Sequence, residues 1–167
     1  MQTLFALFSS LGDHLVHLLE GLSLLAGLGL VKGISSQGIL LHVNVDGSPS
    51  NMQKVGNVKT FTGPGGQASV LDASNLESTF KEKLIGLPDE GQFSFGINVD
   101  PADAVHLALK TARRNRTLCE FRVTLTNTAL TKLVFFGYIV GLQLSGGVDQ
   151  IVNAAITIEI DGEVNWV

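Results

Sequence analysis

Apolar and polar residues alternate along most of the chain beyond residue 38, and this period of two predicts β-strands. The pattern predicts strands at residues 39–45, 54–61, 92–99, 119–125 and 152–160, together with a longer run at 132–144 that is apolar on both faces. Turn-forming residues such as Gly, Pro, Asp and Ser separate these runs. We therefore expect a mainly β protein, a sandwich or barrel of packed antiparallel sheets.

One flanking helix is predicted at about residues 101–114, where the period changes. Asp100 and Pro101 form a typical helix start, since Asp caps free N–H groups and Pro suits the first helical position. One face of this helix is apolar and is expected to pack on the sheet; it consists of Val105, Ala108, Leu109 and Ala112.

Residues 68–90 break the alternation. A short strand is possible at 68–73, but the following residues have no clean period and are mostly polar up to Leu84. About twenty irregular residues inside a compact domain are uncommon and are often functional. The segment is therefore predicted to be a long protruding loop or hairpin that touches a partner, and a flexible surface loop is the alternative.

Residues 1–31 contain no Lys or Arg and carry a stripe of leucines at helical spacing. The best apolar window is short and holds His17 and Glu20, so neither a membrane span nor a secretory signal is predicted. The segment is interpreted either as an amphipathic helical extension or as the product of a misplaced start codon, with the β domain occupying residues 32–167.

Composition limits the possible functions. The net charge of −4 argues against tight nucleic-acid binding, which requires cations to neutralise phosphates. Arg113, Arg114 and Arg116 form a short basic cluster, but two of them already complement the helix dipole. A nucleic-acid site there is the less favoured interpretation.

Motifs for catalysis or metal binding are missing from the sequence. The single cysteine, Cys119, alternates in phase with Phe121 and Val123 and is expected to be buried. No zinc-ligand spacing or serine nucleophile motif occurs. We expect no catalytic residue, no metal and no cofactor, and hence a protein that is not an enzyme.

Two stretches resemble the major tail tube proteins of long-tailed, lambda-like siphophages. The first runs from Phe135 to Ala154 and continues to Trp166: a hydrophobic strand, a Ser-Gly-Gly turn, a Val-Asp step and a closing alternating strand. The second runs from Gly63 to Gly91 and precedes the strand that leads into Asn98-Val99-Asp100-Pro101. The likeness covers about residues 33–167.

This resemblance implies a structural subunit of the virion tail tube, assembled in the bacterial host cytoplasm. Family subunits form hexameric rings that stack into a tube, and genomic DNA passes through the lumen without specific binding. The tape measure protein and the tail terminator and distal tail proteins are implied partners. The 68–90 segment would be the arm that reaches the next ring, with candidate contacts at Asp72, Asn75, Leu76, Phe80, Leu84 and Leu87.

A DNA-conducting lumen should be acidic or neutral, because a basic wall would hold the phosphates. The sequence offers four acidic candidates for this wall: Asp149, Glu159, Asp161 and Glu163. An ordinary solvated outer face is the alternative for all of them. Two other functions fit the strand pattern: the inner tube of a contractile tail or secretion system, and a ligand-binding β-sandwich module.

Overall fold

Residues 33–46 and 51–167, the part described by our computed structural model, contain nine β-strands and one helix. The elements are β1 (Leu40–Asn44), β2 (Gln53–Lys54), β3 (Val58–Thr62), β4 (Gln67–Asp72), β5 (Lys83–Asp89), β6 (Gln92–Asn98), α1 (Ala104–Asn115), β7 (Leu118–Thr124), β8 (Lys132–Ser145) and β9 (Asn153–Trp166). Seven strands form an antiparallel sheet in the order β2-β1-β7-β8-β9-β6-β3, and β4 and β5 form a separate pair. The predicted mainly β fold with one helix is confirmed.

Alternation explains which face of each strand is buried. In β6, Phe93, Phe95 and Ile97 are buried while the residues between them are half-exposed. The neighbouring β9 presents Ile156 and Ile158 to the same side, opposite Phe95 and Phe93. The sheet therefore has one apolar face, which forms the core, and one face that is largely polar.

The two edge strands of this sheet are consecutive in the chain. β2 pairs with β1 at one edge, and only residues 55–57 separate it from β3, which pairs with β6 at the other edge. Val55 N–H donates to Leu41 O (2.8 Å), and Asn98 N–H donates to Asn57 O (3.0 Å). The sheet must curl until its edges meet, so the apolar face lies inside a flattened barrel. Sequence alternation predicted one strand at 54–61, whereas the structure has two, because the chain changes partners between them.

A row of phenylalanine rings runs through the core and ends at Phe61, which is 37% exposed. Phe61 stacks on Phe93, Phe93 lies 5.2 Å from Phe135 between ring centroids, and Phe135 lies 5.6 Å from Phe121. These rings come from four different strands, β3, β6, β8 and β7. Offset and tilted pairs at this spacing add about 0.5–1.5 kcal/mol beyond their burial, so the row links four strands of the sheet.

The helix begins at Ala104, not at Pro101. The side chain of Asp103 accepts a hydrogen bond from Val105 N–H (2.7 Å), which makes Asp103 the N-cap. Asp100 instead accepts from Ala102 N–H (2.9 Å) and so holds a turn that precedes the helix. The helix ends at Arg116, whose left-handed backbone (φ 54°) lets its N–H bond back to the last carbonyls.

The last strand extends six residues past its predicted end at Ile160. Gly162 has φ +85°, and the pairing of β8 with β9 shifts register between Val134 and Phe136, opposite this glycine. The Asp161-Gly162 pair resembles turn chemistry in the sequence, but here it forms a bulge inside one strand. β8 and β9 consequently share fourteen-residue strands at the centre of the sheet.

The predicted extension at residues 1–31 lies outside the described residues. Residues 35–167 form a unit by themselves. Among the described residues, no helix has the length and apolarity needed to cross a membrane.

Candidate assembly surfaces

The separate pair β4-β5 is a hairpin with exposed apolar side chains on both of its faces. Val70 lies opposite Ile85, and Leu71 lies opposite Leu84. Neighbouring residues of a strand point to opposite faces, so each face carries one of these pairs, and all four side chains are more than half exposed. An ordinary surface hairpin has one polar face. We call this hairpin with its connecting turn, residues 67–89, the arm.

Three apolar side chains of the arm are almost completely exposed, two at its far end and one near its base. Leu76 is fully exposed and Phe80 is 85% exposed, while Leu87, nearer the base, is 89% exposed. The sequence suggested an irregular segment from residue 74 onward, but the structure shows strand β5 at Lys83–Asp89. Alternation did not reveal β5, because Gly86 and Pro88 interrupt it and no face of it is buried.

Hydrogen bonds hold the end of the arm, residues 73–82, in a defined shape; we call these residues the tip. Asn75 Oδ1 accepts from Glu77 N–H (2.8 Å), and Ser78 Oγ accepts from Asn75 N–H (3.0 Å). Across the tip, Glu82 N–H donates to Ser74 Oγ (3.0 Å), and Ala73 N–H donates to Glu82 O (2.9 Å). The tip is a structured turn and not a loose loop.

Asp72 anchors the base of the tip. Its Oδ1 accepts from Ser74 N–H (3.0 Å), and its Oδ2 lies 3.0 Å from Lys81 Nζ. The hydrogen bonds from Ser74, followed by the one from Lys81, lower the pKa of the Asp72 carboxyl below its ordinary value. This carboxylate is therefore occupied with local structure, whereas the apolar candidates Leu76, Phe80, Leu84 and Leu87 are left open to a partner.

Besides the two-residue strand β2 at the end of the sheet, two strands of the main sheet have an unpaired edge within the described residues. β8 pairs with β7 only as far as Tyr138, so Ile139–Ser145 has a partner on one side alone, namely β9. β3 pairs with β6 and presents its other edge, Val58–Thr62, without a partner strand. Between these edges lie β9 and β6, so this part of the molecule is a four-stranded sheet with two free edges, which we call the open sheet.

Three of the four acidic candidates lie on one face of β9. Glu159, Asp161 and Glu163 alternate with the buried residues Ile158, Ile160 and Val164, and they therefore point away from the core. Glu159 is half-buried and accepts a hydrogen bond from Gln92 Nε2 (2.8 Å). Asp149 lies elsewhere, in the exposed turn between β8 and β9. Glu159 alone of the four pairs with β6 and belongs to the open sheet.

A cationic group lies at the other end of the polar face. His42 pairs across the strands with Lys54 on one side and with Arg122 on the other. Burial, followed by the charges of Arg122 and Lys54, lowers the pKa of His42 below its ordinary value. Arg122 also bonds to Glu120 (3.3 Å), so one of these cations is already neutralised.

The helix packs through the face that its sequence predicted, with one addition. Leu109 and Ala112 are buried, and Val105 and Ala108 are half-buried. The addition is His106, which is buried although it is polar: its Nδ1 accepts from Asp100 N–H (3.2 Å), and its Nε2 lies 3.2 Å from Gly56 O. The helical spacing of His106 gave no signal for this role, because Gly56 lies fifty residues away in the chain.

Further exposed apolar residues lie outside every predicted site. Phe136, Tyr138 and Val140 are exposed on the polar face of β8, and Val148 and Ile151 are exposed in the turn that follows. The sequence shows residues 132–144 as apolar on both faces, and it does not separate residues that face a core from residues that face another subunit.

The described residues offer little reactive chemistry. No group of three or more His, Cys, Asp or Glu side chains among them is placed to hold a metal ion. The Cys119 thiol is fully buried, and burial raises its pKa to about 11. The surfaces available to a partner are thus apolar side chains and free strand edges, both of which serve association between proteins.

Comparison with known proteins agrees with surfaces of this kind. A family model described as "Phage tail tube, TTP, lambda-like" matches residues 32–131. No curated protein sequence matches the chain. Solved structures with a similar fold include the tail of an empty gene transfer agent particle, refined with C6 symmetry (TM-score 0.66, 15% identity, 81% of this chain and 99% of that one). A second is the SPP1 tail tube (TM-score 0.59, 18% identity, 79% of this chain and 78% of that one). A third is the sheath–tube complex of an extracellular contractile injection system, PVC (TM-score 0.65, 14% identity, 85% of this chain and 96% of that one).

Proposed function

Since this chain belongs to the lambda-like phage tail tube family and is a structural subunit of a virion tail tube, we propose that its copies form hexameric rings. The rings would stack, and their joined lumens would conduct genomic DNA during ejection. The observation that carries the proposal is the arm, a structured hairpin with apolar side chains on both faces.

The arm is difficult to explain in an isolated subunit. Two strands alone are marginally stable in water, and exposed apolar patches mark contact sites. Burying a Leu or Phe side chain contributes about 1.5–3 kcal/mol, so covering Leu76 and Phe80 alone would contribute roughly 3–6 kcal/mol per subunit before the cost of association. We propose that Asp72, Asn75, Leu76, Phe80, Leu84 and Leu87 contact the adjacent ring, with the apolar members supplying most of the energy.

The two free edges of the open sheet are evidence for the proposed ring. Its free edges lie on opposite sides, β3 on one and the second half of β8 on the other. A free edge is a template for another strand, and joining unlike edges gives a head-to-tail contact that closes by rotation. Six copies of a four-stranded sheet would make a barrel of roughly 24 strands, well beyond the 16–18 strands that already leave an aqueous channel.

The lumen would then be lined by the polar faces of β3, β6 and β9 in the open sheet. This face carries Ser94, Thr157 and Thr60, the carboxylate of Glu159, and Lys59, whose Nζ lies 3.3 Å from Asn153 Oδ1. The hydroxyls and the carboxylate give DNA phosphates no cation to bind, and the Lys59 ammonium belongs to the edge strand β3. Among the acidic candidates we therefore favour Glu159 as the lumen residue, ahead of Asp161, Glu163 and Asp149.

Further partners follow from the family. We propose contacts with a tape measure protein inside the tube and with tail terminator and distal tail proteins at its ends, and no enzymatic role. The structures of similar fold include a tube-terminating cap of an anti-feeding prophage and a sheath/tube terminator of a contractile injection system. Those are other proteins of similar fold, and the match to the lambda-like family favours a tube without a sheath.

Electron microscopy of the purified protein tests the proposal. Concentrated wild-type protein should form rings and tubes, whereas Leu76→Ser/Phe80→Ser should form rings that do not stack into long tubes. Leu107→Ser is the matched control, because Leu107 is also an exposed leucine but lies on α1. A wild-type protein that stays monomeric at high concentration would contradict the proposed rings, and normal tubes from the double variant would contradict the proposed role of the arm.

A further inference from the structure

A groove runs between the end of α1 and the middle of β8. It measures about 680 Å³ and is lined by Arg113, Arg114, Arg116, Tyr138, Ile139 and Val140. The three arginines contribute the side formed by the end of α1, and the half-exposed Tyr138 and Val140 belong to the side formed by β8. Volumes of 300–1,000 Å³ are typical of binding sites, so the groove can hold several side chains. We call it the arginine groove.

The charges of this groove are not balanced within the subunit. No carboxylate lies within 4.0 Å of the three arginines in residues 33–46 and 51–167, and all three side chains are exposed. Residues 104–116 hold four Lys or Arg and no Asp or Glu, in a chain whose net charge is −4. The helix dipole favours cations at this end, but it does not explain why an apolar wall stands beside them.

The arm carries the complementary chemistry. Residues 67–89 contain four carboxylates and two lysines, a net charge of −2. Lys81 is bound to Asp72, which leaves Glu77 and Glu82 of the tip without a cation within 4.0 Å in the described part of the chain. Beside them are the exposed Leu76 and Phe80. The tip thus combines two carboxylates with two apolar side chains, as the groove combines three arginines with Tyr138 and Val140.

We infer that the arginine groove of one copy receives the tip of another copy, residues 73–82. The inference rests on the proposed stacking of rings through the arm and names the surface that receives it. Leu76 and Phe80 pack against Tyr138 and Val140, while Glu77 and Glu82 pair with the arginines, whose forked guanidinium groups suit carboxylates. The two surfaces differ, so the contact is heterologous and can repeat along an open stack.

DNA is the competing occupant of a basic groove. The apolar wall of Tyr138 and Val140 offers nothing to a phosphate, whereas the exposed Leu76 and Phe80 of the tip can pack against it. A carboxylate-bearing apolar tip fits both walls, so the second copy is the occupant that the groove favours.

Disulfide cross-linking between copies tests the contact directly. Leu76→Cys and Val140→Cys subunits are mixed, assembled and oxidised, and dimers are measured on a non-reducing gel. The native Cys119 is fully buried and contributes little background. Leu130→Cys replaces Val140→Cys in the control, since Leu130 is equally open but precedes the opposite end of β8. We expect a dimer yield at least about tenfold above the control, because only apposed thiols meet disulfide geometry.

Charge exchange supplies the second measurement. Arg113→Glu/Arg114→Glu and Glu77→Arg/Glu82→Arg should each lower the amount of tube at least about tenfold, since opposed like charges cost several kcal/mol. The combined variant should recover to within about threefold of wild type. Lys110→Glu and Glu90→Arg are matched controls outside the groove and the tip.

The outcomes separate this inference from the proposed function. Suppose that wild-type protein forms tubes, that Leu76→Ser/Phe80→Ser does not, and that neither cross-links nor charge rescue are observed. That result would overturn the proposed contact between tip and arginine groove, and the proposed role of the arm in stacking would still stand. Groove variants that assemble normally but alter DNA ejection would also overturn it, in favour of a phosphate contact. Wild-type protein that forms no rings would remove the proposed function itself.

Discussion

Replacing His106 by alanine should lower the free energy of unfolding of the subunit by about 2–3 kcal/mol. The imidazole lies between Asp100 N–H, which donates to Nδ1 at 3.2 Å, and the carbonyl of Gly56, 3.2 Å from Nε2. Because Nδ1 accepts a hydrogen bond, the neutral ring carries its proton on Nε2 and donates to Gly56. One side chain therefore connects the start of α1 to the segment that joins the two edges of the sheet.

The magnitude follows from these two bonds. Each contributes about 0.5–1.5 kcal/mol net, and a buried partner left unsatisfied costs about 1–3 kcal/mol. Asp100 is exposed, so water can replace the ring there, but Gly56 is half-buried and loses more. The cavity left by the ring, which is only 8% exposed, adds to the loss. Total stabilities are about 5–15 kcal/mol, so the change is a large fraction of the whole.

Urea unfolding of dilute, unassembled subunits measures the effect. A loss of 2–3 kcal/mol corresponds to roughly 4–12 °C in Tm for a chain of this size. Leu107→Ala, the exposed neighbour, should change the stability by less than about 0.5 kcal/mol. If His106→Ala is as mild as this control, the connection between helix and sheet is not a stabilising contact and the reasoning is refuted.

Three further predictions concern charge and reactivity. Phage carrying Glu159→Lys should eject DNA more slowly than phage carrying Asp149→Lys, because only residue 159 is placed on the open sheet; equal ejection rates would argue against a lumen position. The Cys119 thiol, with its pKa raised to about 11, should be thiolate in roughly one molecule in a thousand at pH 8, so a thiol reagent should label it only after urea is added, and rapid labelling of folded protein would contradict its burial. Because the pKa of His42 is lower in the folded state, the unfolded chain binds more protons below about pH 6.5; stability should therefore fall as the pH drops from 7 towards 5, and His42→Asn should reduce this loss.

Alternation predicted the strands that cover a core. β1, β6, β7 and β8 begin and end within two residues of their predicted limits, because each buries one face or both. The alternation of apolar and polar residues does not show which strands pair with each other. β1, for example, pairs with β7 through residues such as His42 and Arg122, which are eighty positions apart. Helix capping was ambiguous for a local reason: Asp100 and Asp103 are both suitable caps, and the hydrogen bonds that they accept decide between them.

The assembly surfaces were harder to predict. The arm was recognised as unusual, but β5 was not, because its apolar residues face no core of their own chain. In a sequence, Leu84 and Ile85 read the same whether the subunit itself or a neighbour covers them. The arginine groove joins a helix end to strand residues more than twenty positions further along the chain, so its composition becomes visible only in the folded chain.

The position of β9 in the sheet has a consequence for how the subunit folds. β9 is made after every other described strand, yet it lies between β8 and β6 in the sheet. Until β9 leaves the ribosome, these two strands have no partner on their inner edges, and the phenylalanine row cannot close. Sheets that depend on such distant contacts fold in milliseconds to seconds. The nascent chain must therefore wait with open edges, a period in which chaperones or slow synthesis would protect it from aggregation.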